Sequence, residues 1–496
     1  MKASILRFTG LAALTLSAAG CSGFLTGPKL TESPNAATSA NGRQILVGVQ
    51  AAAFLWQQSD IARNMSMMVQ HLTGTNNQQL DRGSRYLYTE SDVSGFFNQV
   101  YSFGGLVSIR AARDSGLAAG DRRLAGIARF YEALMVGTAA SLWGDIPYSE
   151  TLNPQVATPK LDNQVTEIYP RLQAVLDSAI ADFAASSSAP LLAEDVVFNG
   201  NVDRWRRAAW SLKARYWMHL GEVQGTTAYQ NALAATANGI NEVPAAGDAG
   251  ADMQGAGDFR TVHGTTQDVD ANVWWQFINS RQDMTAGAPL VNILVARNDT
   301  VRLRRYFIPR NVTDPALRWR GDSIGGALRG ATVSNPGANS IGQFGTTASR
   351  TAAFRQPILT WAETQLIRAE AENRLGVDDL GLGEVNAVRA SVRLSPLSAP
   401  ITLAQVQEEK YVAMYQNIEA FNDYKRNCFP ALGTSTTPSG ATVLFVGGGS
   451  RPSPTAIPRR LFYGFGERQT NPNIPRPNTA GNRVSDGNRN DPNACT

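Results

Sequence analysis

The chain has 496 residues, 43% of them hydrophobic and 17% charged, so it can bury the core of one large or two ordinary domains. Its 45 basic and 41 acidic side chains nearly cancel. A nucleic-acid-binding protein needs a concentrated basic stripe, and short clusters such as Arg302, Arg304 and Arg305 do not supply one. The composition therefore excludes a disordered chain and argues against a nucleic-acid partner.

The first twenty residues have the pattern of a secretory signal peptide. Lys2 and Arg7 precede an apolar stretch, residues 8–19, that is too short to span a bilayer. Small residues then lead to Cys21, and the lipoprotein-processing peptidase accepts such a sequence before the cysteine that it exposes. We therefore expect residues 1–20 to be removed and Cys21 to carry the lipid anchor; an ordinary secreted protein, cut near the same place, is the alternative.

Residues 21–42 are predicted to form a tether between this anchor and the folded domain, because their second half is rich in Ser, Thr, Pro, Asn and Ala. The residues directly after Cys21 lack the acidic run that directs some lipoproteins to the cell exterior. The sequence therefore does not decide in which leaflet of the outer membrane the anchor lies. Cys428 and Cys495 remain, and an oxidising compartment would permit them to pair. Their pairing also stays open, because sequence does not show distance.

Helical periodicity dominates from residue 43 to about 243. Apolar side chains recur at spacings of three and four in residues 122–143, 165–185 and 203–220. Small residues lie between them in the first of these segments, which favours close packing against neighbouring helices. The pattern predicts helical pairs arranged in a stack.

The segment from about residue 244 to 356 differs, since it is rich in glycine and has no sustained period, which predicts loops, short helices and a hairpin. Helices are expected again over residues 357–428. Thr360 and Glu363 have the spacing of a capping box, and Gly376 is a suitable stop. A second box at Thr402 opens a predicted helix with one apolar face, made of Tyr411, Met414, Ile418 and Phe421. Residues 430–496 are rich in Gly, Pro and Asn and are expected to be irregular.

Residues that could carry catalysis are scarce. His71, His219 and His263 lack the spacing of a zinc site, and no nucleophile elbow, phosphate loop or dinucleotide fingerprint is present. We therefore predict no catalytic residue, metal or cofactor. Acidic pairs at 268 and 270 or at 370 and 372 leave a secreted glycoside hydrolase as a weak alternative, because such enzymes need only two suitably spaced acids.

Six stretches in order resemble the SusD/RagB family of outer-membrane nutrient-binding lipoproteins, and together they cover nearly the whole chain. The motif Leu-Trp-Gly-Asp-Ile-Pro-Tyr at 142–148 is the most recognisable, although by itself it reads as a helix stop. Asp299-Thr300-Val301-Arg302 departs from the Asp-Pro-Arg that is frequent in the family. The resembling stretches are 21–35, 133–150, 199–215, 357–371, 409–426 and 457–467.

The resemblance implies a mostly α fold, in which a tetratricopeptide-like scaffold of helical pairs carries a loop-rich ligand-binding subdomain. Residues 43–496 would form a single domain of this kind. The protein would lie at the outer membrane, lipid-anchored and surface-exposed, as the lid of a TonB-dependent, SusC-like transporter. It would pass oligosaccharide, or in some members peptide, to that partner without covalent chemistry. A helical scaffold that binds only protein partners is the competing hypothesis.

The ligand-binding residues implied by the resemblance lie in the loop at 75–88 and in the irregular middle segment. Exposed aromatic rings would stack on a sugar, while amides and guanidinium groups would bond its hydroxyls. The candidate ligand-binding residues are Asn77, Gln78, Arg85, Tyr86, Tyr88, Trp274 and Trp319.

Overall fold

The computed structural model describes most of the chain from residue 40 onward. Cys21, the predicted signal peptide and nearly all of the predicted tether lie outside the described residues, as does the acidic residue at 268. The described ranges are 40–102, 104–187, 189–190, 193–244, 255–266, 270–281, 283–309, 318–322, 324, 340–341, 352–433, 442–444, 450–452, 457–483, 486–491 and 495.

Seventeen α-helices lie in the described part of the chain, which confirms a mostly α fold. Two short π-helical turns, Gln79–Ser84 and Gln164–Ile168, accompany them. The helices are α1 Gly42–Gln58, α2 Asp60–Met68, α3 Glu90–Gln99, α4 Leu106–Ala118, α5 Arg122–Trp143, α6 Tyr169–Ala184, α7 Val202–His219, α8 Gly221–Gln224, α9 Thr226–Thr236, α10 Val273–Ser280, α11 Ala288–Ala296, α12 Thr300–Tyr306, α13 Trp361–Leu375, α14 Leu382–Ser391, α15 Leu403–Ala413, α16 Glu419–Asn427 and α17 Phe465–Thr470.

The strands are short, and those among the described residues form three antiparallel sheets. The largest has the order β1-β3-β5-β4, β2 pairs with β6, and β7 pairs with β8. The strands are β1 Leu72–Gly74, β2 Phe259–Arg260, β3 Met284–Ala286, β4 Phe307–Ile308, β5 Ser340–Ile341, β6 Pro357–Leu359, β7 Thr442–Leu444 and β8 Ser450–Pro452.

The long helices form one continuous stack. Helix α1 packs on α4, α4 on α5, α5 on α6, α6 on α7, α7 on α9, and α9 on α13, which in turn contacts α14 and α15. Each long helix of this series therefore packs on the next long helix along the chain, as in repeat scaffolds built of helical pairs. The predicted tetratricopeptide-like scaffold is confirmed.

Helix α5 shows how local sequence sets the helix ends. Its N-cap Asp121 accepts a hydrogen bond from the Leu124 backbone N–H, which satisfies one of the first-turn donors. Its last residue is Trp143, and Gly144 follows at φ +82°, a conformation that glycine adopts without a Cβ penalty. Nearly every residue of this helix beyond its first turn is buried, as expected from the small residues between its large apolar side chains.

The predicted helix that opens at Thr402 is two helices. The Thr402 cap is formed as predicted, but α15 ends at Ala413 and α16 begins at Glu419. Between them Gln416 adopts φ +59°, which no residue inside a right-handed helix can do. The apolar periodicity continues across this break because both helices turn the same side toward the core, so period alone did not reveal it.

The C-terminal segment binds back onto the end of α5. Trp143 donates its indole N–H to the Phe462 carbonyl at 2.6 Å, and the Leu461 N–H donates to the Leu142 carbonyl at 2.9 Å. The Tyr463 hydroxyl donates to the Asp145 carbonyl at 2.6 Å. The motif at 142–148 therefore both stops a helix and provides the docking site for a segment more than 300 residues later.

A disulfide joins Cys428, directly after α16, to Cys495. It closes the C-terminal segment onto the helical stack across a sequence separation of 67 residues. The sequence had left this pairing open, and the fold resolves it by placing the two Cα atoms 5.1 Å apart, within the range that a disulfide requires.

Buried charges cross-link the helices of the stack. The Arg215 guanidinium of α7 donates to both carboxylate oxygens of Glu363 at 2.6 Å, and the His219 ring contacts Glu419 at 2.6 Å. These four side chains are at most 5% exposed. Each charged group therefore has a partner that offsets the cost of its burial.

The Thr360 capping box is only half formed, because one of these buried ion pairs takes its glutamate. The Thr360 hydroxyl accepts the Glu363 backbone N–H at 3.1 Å, but the Glu363 carboxylate is held by Arg215 instead of returning to the cap. Gly376 ends α13 in the left-handed conformation, as predicted. In the described part of the chain, no helix is both long and apolar enough to cross a bilayer.

Candidate functional site

Strand β3 brings the predicted 75–88 loop and the irregular middle segment together. It pairs with β1 so that Leu72 lies opposite Ala286 and Gly74 opposite Met284. One residue beyond the paired strands, the Thr75 N–H donates to the Asp283 carbonyl at 2.8 Å. The loop that follows β1 is therefore held beside the residues that precede β3.

Asn77 and Gln78 are exposed at the start of this loop. The Asn77 side-chain amide donates to the Asp283 carboxylate at 3.0 Å, across a separation of 206 residues. Asn77 also adopts φ +48°, which asparagine tolerates better than most residues. The hydrogen bond and the left-handed backbone together present the amide on the surface rather than in the core.

An aromatic ring and two guanidinium groups continue the surface from Asp283. Arg281 lies 3.9 Å from the Asp283 carboxylate, and its side chain is 54% exposed. The half-buried Phe277 ring lies 5.9 Å from the Arg281 guanidinium, and Arg63 of α2 covers the ring at 4.2 Å. We call the surface formed by the exposed Asn77, Gln78 and Arg281 and the half-buried Phe277, with the buried Asp283 that links them, the β3 face.

Trp319 lies toward the other end of β3. Two residues after it, Gly321 packs so closely on Gly287 and Ala288 that an added Cβ would fall 2.6 Å from their atoms. Asp322 accepts a hydrogen bond from the Thr285 hydroxyl at 2.9 Å. Trp319 itself is half-buried. Gly287 follows Asp283 by four positions, which corresponds to about 13 Å of extended chain.

Three of the aromatic residues predicted as ligand platforms are core residues instead. Tyr86 and Trp274 are 0% exposed and Tyr88 is 1% exposed. The Tyr88 hydroxyl donates to the Arg460 carbonyl at 2.6 Å, and its ring packs on Phe462. These rings cannot stack on a ligand in this structure, because burying a large aromatic ring gains hydrophobic free energy wherever the chain offers it, in the loop for Tyr86 and Tyr88 and in α10 for Trp274.

Arg85, the remaining predicted contact, is half-buried and pairs with Asp81 at 3.0 Å within the same loop. The structure thus brings Asn77 and Gln78 onto the β3 face and leaves Trp319 near its far end. Sequence reasoning missed Phe277, Arg281 and Asp283. No local pattern could have identified them, because Asp283 meets Asn77 only through the β1–β3 pairing.

The acidic pair at 370 and 372 is explained by the helical stack. Glu370 is fully buried and accepts hydrogen bonds from Arg426, at 2.8 Å for one of them. Burial alone would raise its pKa, but Arg426 and Lys410 hold the pKa of this carboxyl well below its usual value. Glu372 instead pairs with Arg368 at 2.8 Å. The two carboxylates serve separate ion pairs and do not form the acid and base of a glycosidase.

The β3 face has the chemistry of a binding surface. Asn77 and Gln78 offer amide donors and acceptors, Arg281 offers an exposed guanidinium, and Phe277 offers part of an aromatic ring. Such groups recognise hydroxyls and amides without forming covalent bonds.

Comparisons with known proteins agree with this architecture. A family model described as starch-binding, associating with outer membrane, and named SusD-like matches residues 34–378. No curated protein matches the chain.

Solved structures share the fold. A SusD/RagB family protein from Bacteroides thetaiotaomicron is 21% identical, with a TM-score of 0.66, and the match covers 88% of this chain and 95% of that one. A chitin-binding protein is 20% identical, with a TM-score of 0.70 and the same coverage of both chains. A chitin-binding SusD homologue from Flavobacterium johnsoniae is 17% identical, with a TM-score of 0.66 and 89% and 97% coverage. The family model spans more than half of the chain, and on that match the protein belongs to the SusD-like family.

Proposed function

We propose that this protein captures oligosaccharides at the outer membrane on its β3 face and delivers them to a TonB-dependent, SusC-like transporter, on which it acts as a lid. Residues 1–20 would be removed, Cys21 would carry the lipid anchor and residues 21–42 would form the tether. The single domain from 43 to 496 would face the cell exterior. No catalytic residue, metal or cofactor is required for this role.

The observation that carries the proposal is the continuity of the β3 face. Three successive contacts connect it, from Asn77 to Asp283, from Asp283 to Arg281 and from Arg281 to Phe277. The Asn77 and Arg281 side chains are largely solvent-exposed. The neighbouring segment with Trp319 can extend the surface. A membership in a family described as starch-binding supports a carbohydrate ligand over a peptide, as do two structural neighbours described as chitin-binding.

Calorimetric titration tests the ligand. We expect chito- or malto-oligosaccharides to bind and unrelated peptides not to bind. Asn77→Ala should weaken binding by about 0.5 to 1.5 kcal/mol, the net contribution of one hydrogen bond. Asn238→Ala is the matched control, because Asn238 is an exposed asparagine at the end of α9 in the helical stack. Equal affinities for both variants would remove the β3 face from the site, and binding of peptides alone would overturn the carbohydrate assignment.

The partner and the anchor need separate experiments. Extraction in gentle detergent should yield a complex with a large barrel, and such a permanent interface should bury more than about 2,000 Å². Cys21→Ala should leave the membrane fraction or retain its signal peptide. A lone lipoprotein after every extraction would contradict the lid, and an unmodified mature N-terminus would contradict the anchor. Release of reducing ends from a polysaccharide would instead favour the glycosidase hypothesis.

A further inference from the structure

A second cleft lies between α12, β6 and the ends of α14 and α15. It shares no lining residue with the β3 face. Its volume, including the part that opens to solvent, is about 690 Å³.

Aromatic rings form part of the cleft wall. Tyr306 and Tyr415 stack with ring centroids 4.2 Å apart. The Arg305 guanidinium lies 5.4 Å from the centre of the Phe354 ring, which extends a flat surface beside the cleft. All four residues line the cleft, so a ring-shaped ligand would find planar partners there.

The polar lining consists of hydrogen-bond donors or groups that can donate. Arg302 binds Asp299 through Nε at 2.5 Å and Glu409 through Nη1 at 2.7 Å, but its Nη2 has no partner in the described part of the chain. Helix α13 begins at the cleft, where Thr360 and Ala362 line it, and the Asp258 carboxylate already accepts the Trp361 N–H at this helix end at 2.7 Å. Among the described residues that line the cleft there is no aspartate or glutamate, and Asp299 and Glu409 contact the Arg302 guanidinium without lining the cleft.

Gln416 gives the cleft its most specific feature. Its side chain is only 3% exposed, and its amide nitrogen has no hydrogen-bond partner among the described residues. Its backbone adopts φ +59°, a strained conformation for a residue other than glycine. A buried amide without a partner destabilises a fold, and strained residues concentrate at sites of function. The glutamine therefore makes more sense as a ligand contact than as a structural residue.

We propose that this cleft binds a small ring compound that carries a carboxylate. The carboxylate would accept hydrogen bonds from Gln416 and Arg302 near the start of α13. The ring would lie against Phe354 and Tyr415. A neutral sugar of the kind proposed for the β3 face lacks the negative charge that this donor set favours.

Titration of the full mature protein with D-glucuronate and D-glucose tests the proposal, because the two sugars differ mainly by the carboxylate. Glucuronate should bind at least about tenfold more tightly than glucose, since a hydrogen bond to a charged group exceeds the free energy of one tenfold step. Equal binding of the two sugars would overturn the proposal. Inorganic phosphate that binds as tightly as glucuronate would also overturn it, because the ring would then contribute nothing.

Gln416→Gly separates a ligand contact from a structural residue. Glycine accepts φ +59° without strain, so the melting temperature should stay the same or rise while glucuronate affinity falls about tenfold. A large fall in melting temperature, or an unchanged affinity, would overturn the role of Gln416.

Ala413→Leu, which fills part of the cleft, should also abolish glucuronate binding, and retained binding would contradict the location. Asn77→Ala should leave glucuronate binding unchanged, so failure of the β3 face and failure of the cleft give different results.

Discussion

The helical stack and the β3 face use polar residues in opposite ways. In the stack, the buried Arg215 forms ion pairs with the buried Glu363 and Glu419, and these ion pairs hold the helices together. On the β3 face, Asn77 and Arg281 are exposed and keep hydrogen-bonding capacity for a partner. The stretches that carry the family resemblance fall largely in the stack. The comparison teaches that a recognisable motif in this fold marks an internal contact, whereas the proposed binding surface lies where no motif was found.

Breaking the buried charge network should have the largest effect. Glu363→Ala leaves the Arg215 guanidinium buried without its main partner, and we expect a loss of about 3 to 5 kcal/mol in the free energy of unfolding. Arg206→Ala is the control, because the Arg206–Asp203 pair is exposed, and it should cost less than about 1 kcal/mol. Denaturant unfolding measures both. Similar losses for the two variants would show that the stack does not depend on its buried charges.

A substitution of Tyr86 should sharpen the boundary between the core and the β3 face. Tyr86→Ala removes a fully buried ring, so we expect a loss of about 3 to 5 kcal/mol in stability. Gln78→Ala, eight residues earlier and exposed, should change stability by less than about 0.5 kcal/mol. Thermal melts decide the matter. A well-folded Tyr86→Ala protein with lost oligosaccharide binding would return this tyrosine to the ligand site.

The disulfide tests whether the C-terminal segment belongs energetically to the stack. Replacing Cys428 and Cys495 with serine opens a loop of 67 residues and should cost about 2 to 4 kcal/mol. Oligosaccharide affinity should not change, because the disulfide joins the end of α16 to the C-terminal segment and neither cysteine belongs to the β3 face. A reduced wild-type protein is the companion measurement. An unchanged melting temperature in both samples would show that the Trp143 and Tyr463 contacts hold the segment without the disulfide.

The pH dependence of stability should come from buried carboxyl groups of two kinds. Burial raises the pKa of Asp258 to about 7, although two backbone N–H groups oppose the shift, so this residue should destabilise the fold increasingly as the pH rises from about 4 to 7. Burial also acts on Glu419, but His219 and Arg215 outweigh it and hold its pKa at about 2. Its stabilisation is present above about pH 4.5 and is lost as the pH falls toward 2.

These two groups together predict that the free energy of unfolding is largest at mildly acidic pH. Each unit by which folding shifts a pKa changes this free energy by about 1.4 kcal/mol. Thermal melts between pH 2 and 8 measure it. Glu419→Gln should flatten the acidic side of the profile and leave the neutral side unchanged. A wild-type profile that is flat from pH 4 to 7 would contradict the raised pKa of Asp258.

Residues close together in the chain were enough to predict the helical architecture. Periodicity identified α5 to its end residues, the Thr402 hydroxyl specified where a helix begins, and the conformational freedom of Gly376 specified where another ends. Period failed at Gln416, where the backbone turns left-handed while the apolar face continues.

Contacts between distant residues required the tertiary structure. Tyr86 and Trp274 were buried because the whole core competes for large aromatic rings, a competition that no local window displays. Asn77 reached Asp283 only because β1 and β3 pair across some 200 residues, and Cys428 reached Cys495 only because the C-terminal segment returns to α5. Helix formation depends on neighbours three or four positions away, which sequence displays directly. A binding surface and a disulfide depend on distances in space, which are determined only when the chain has folded.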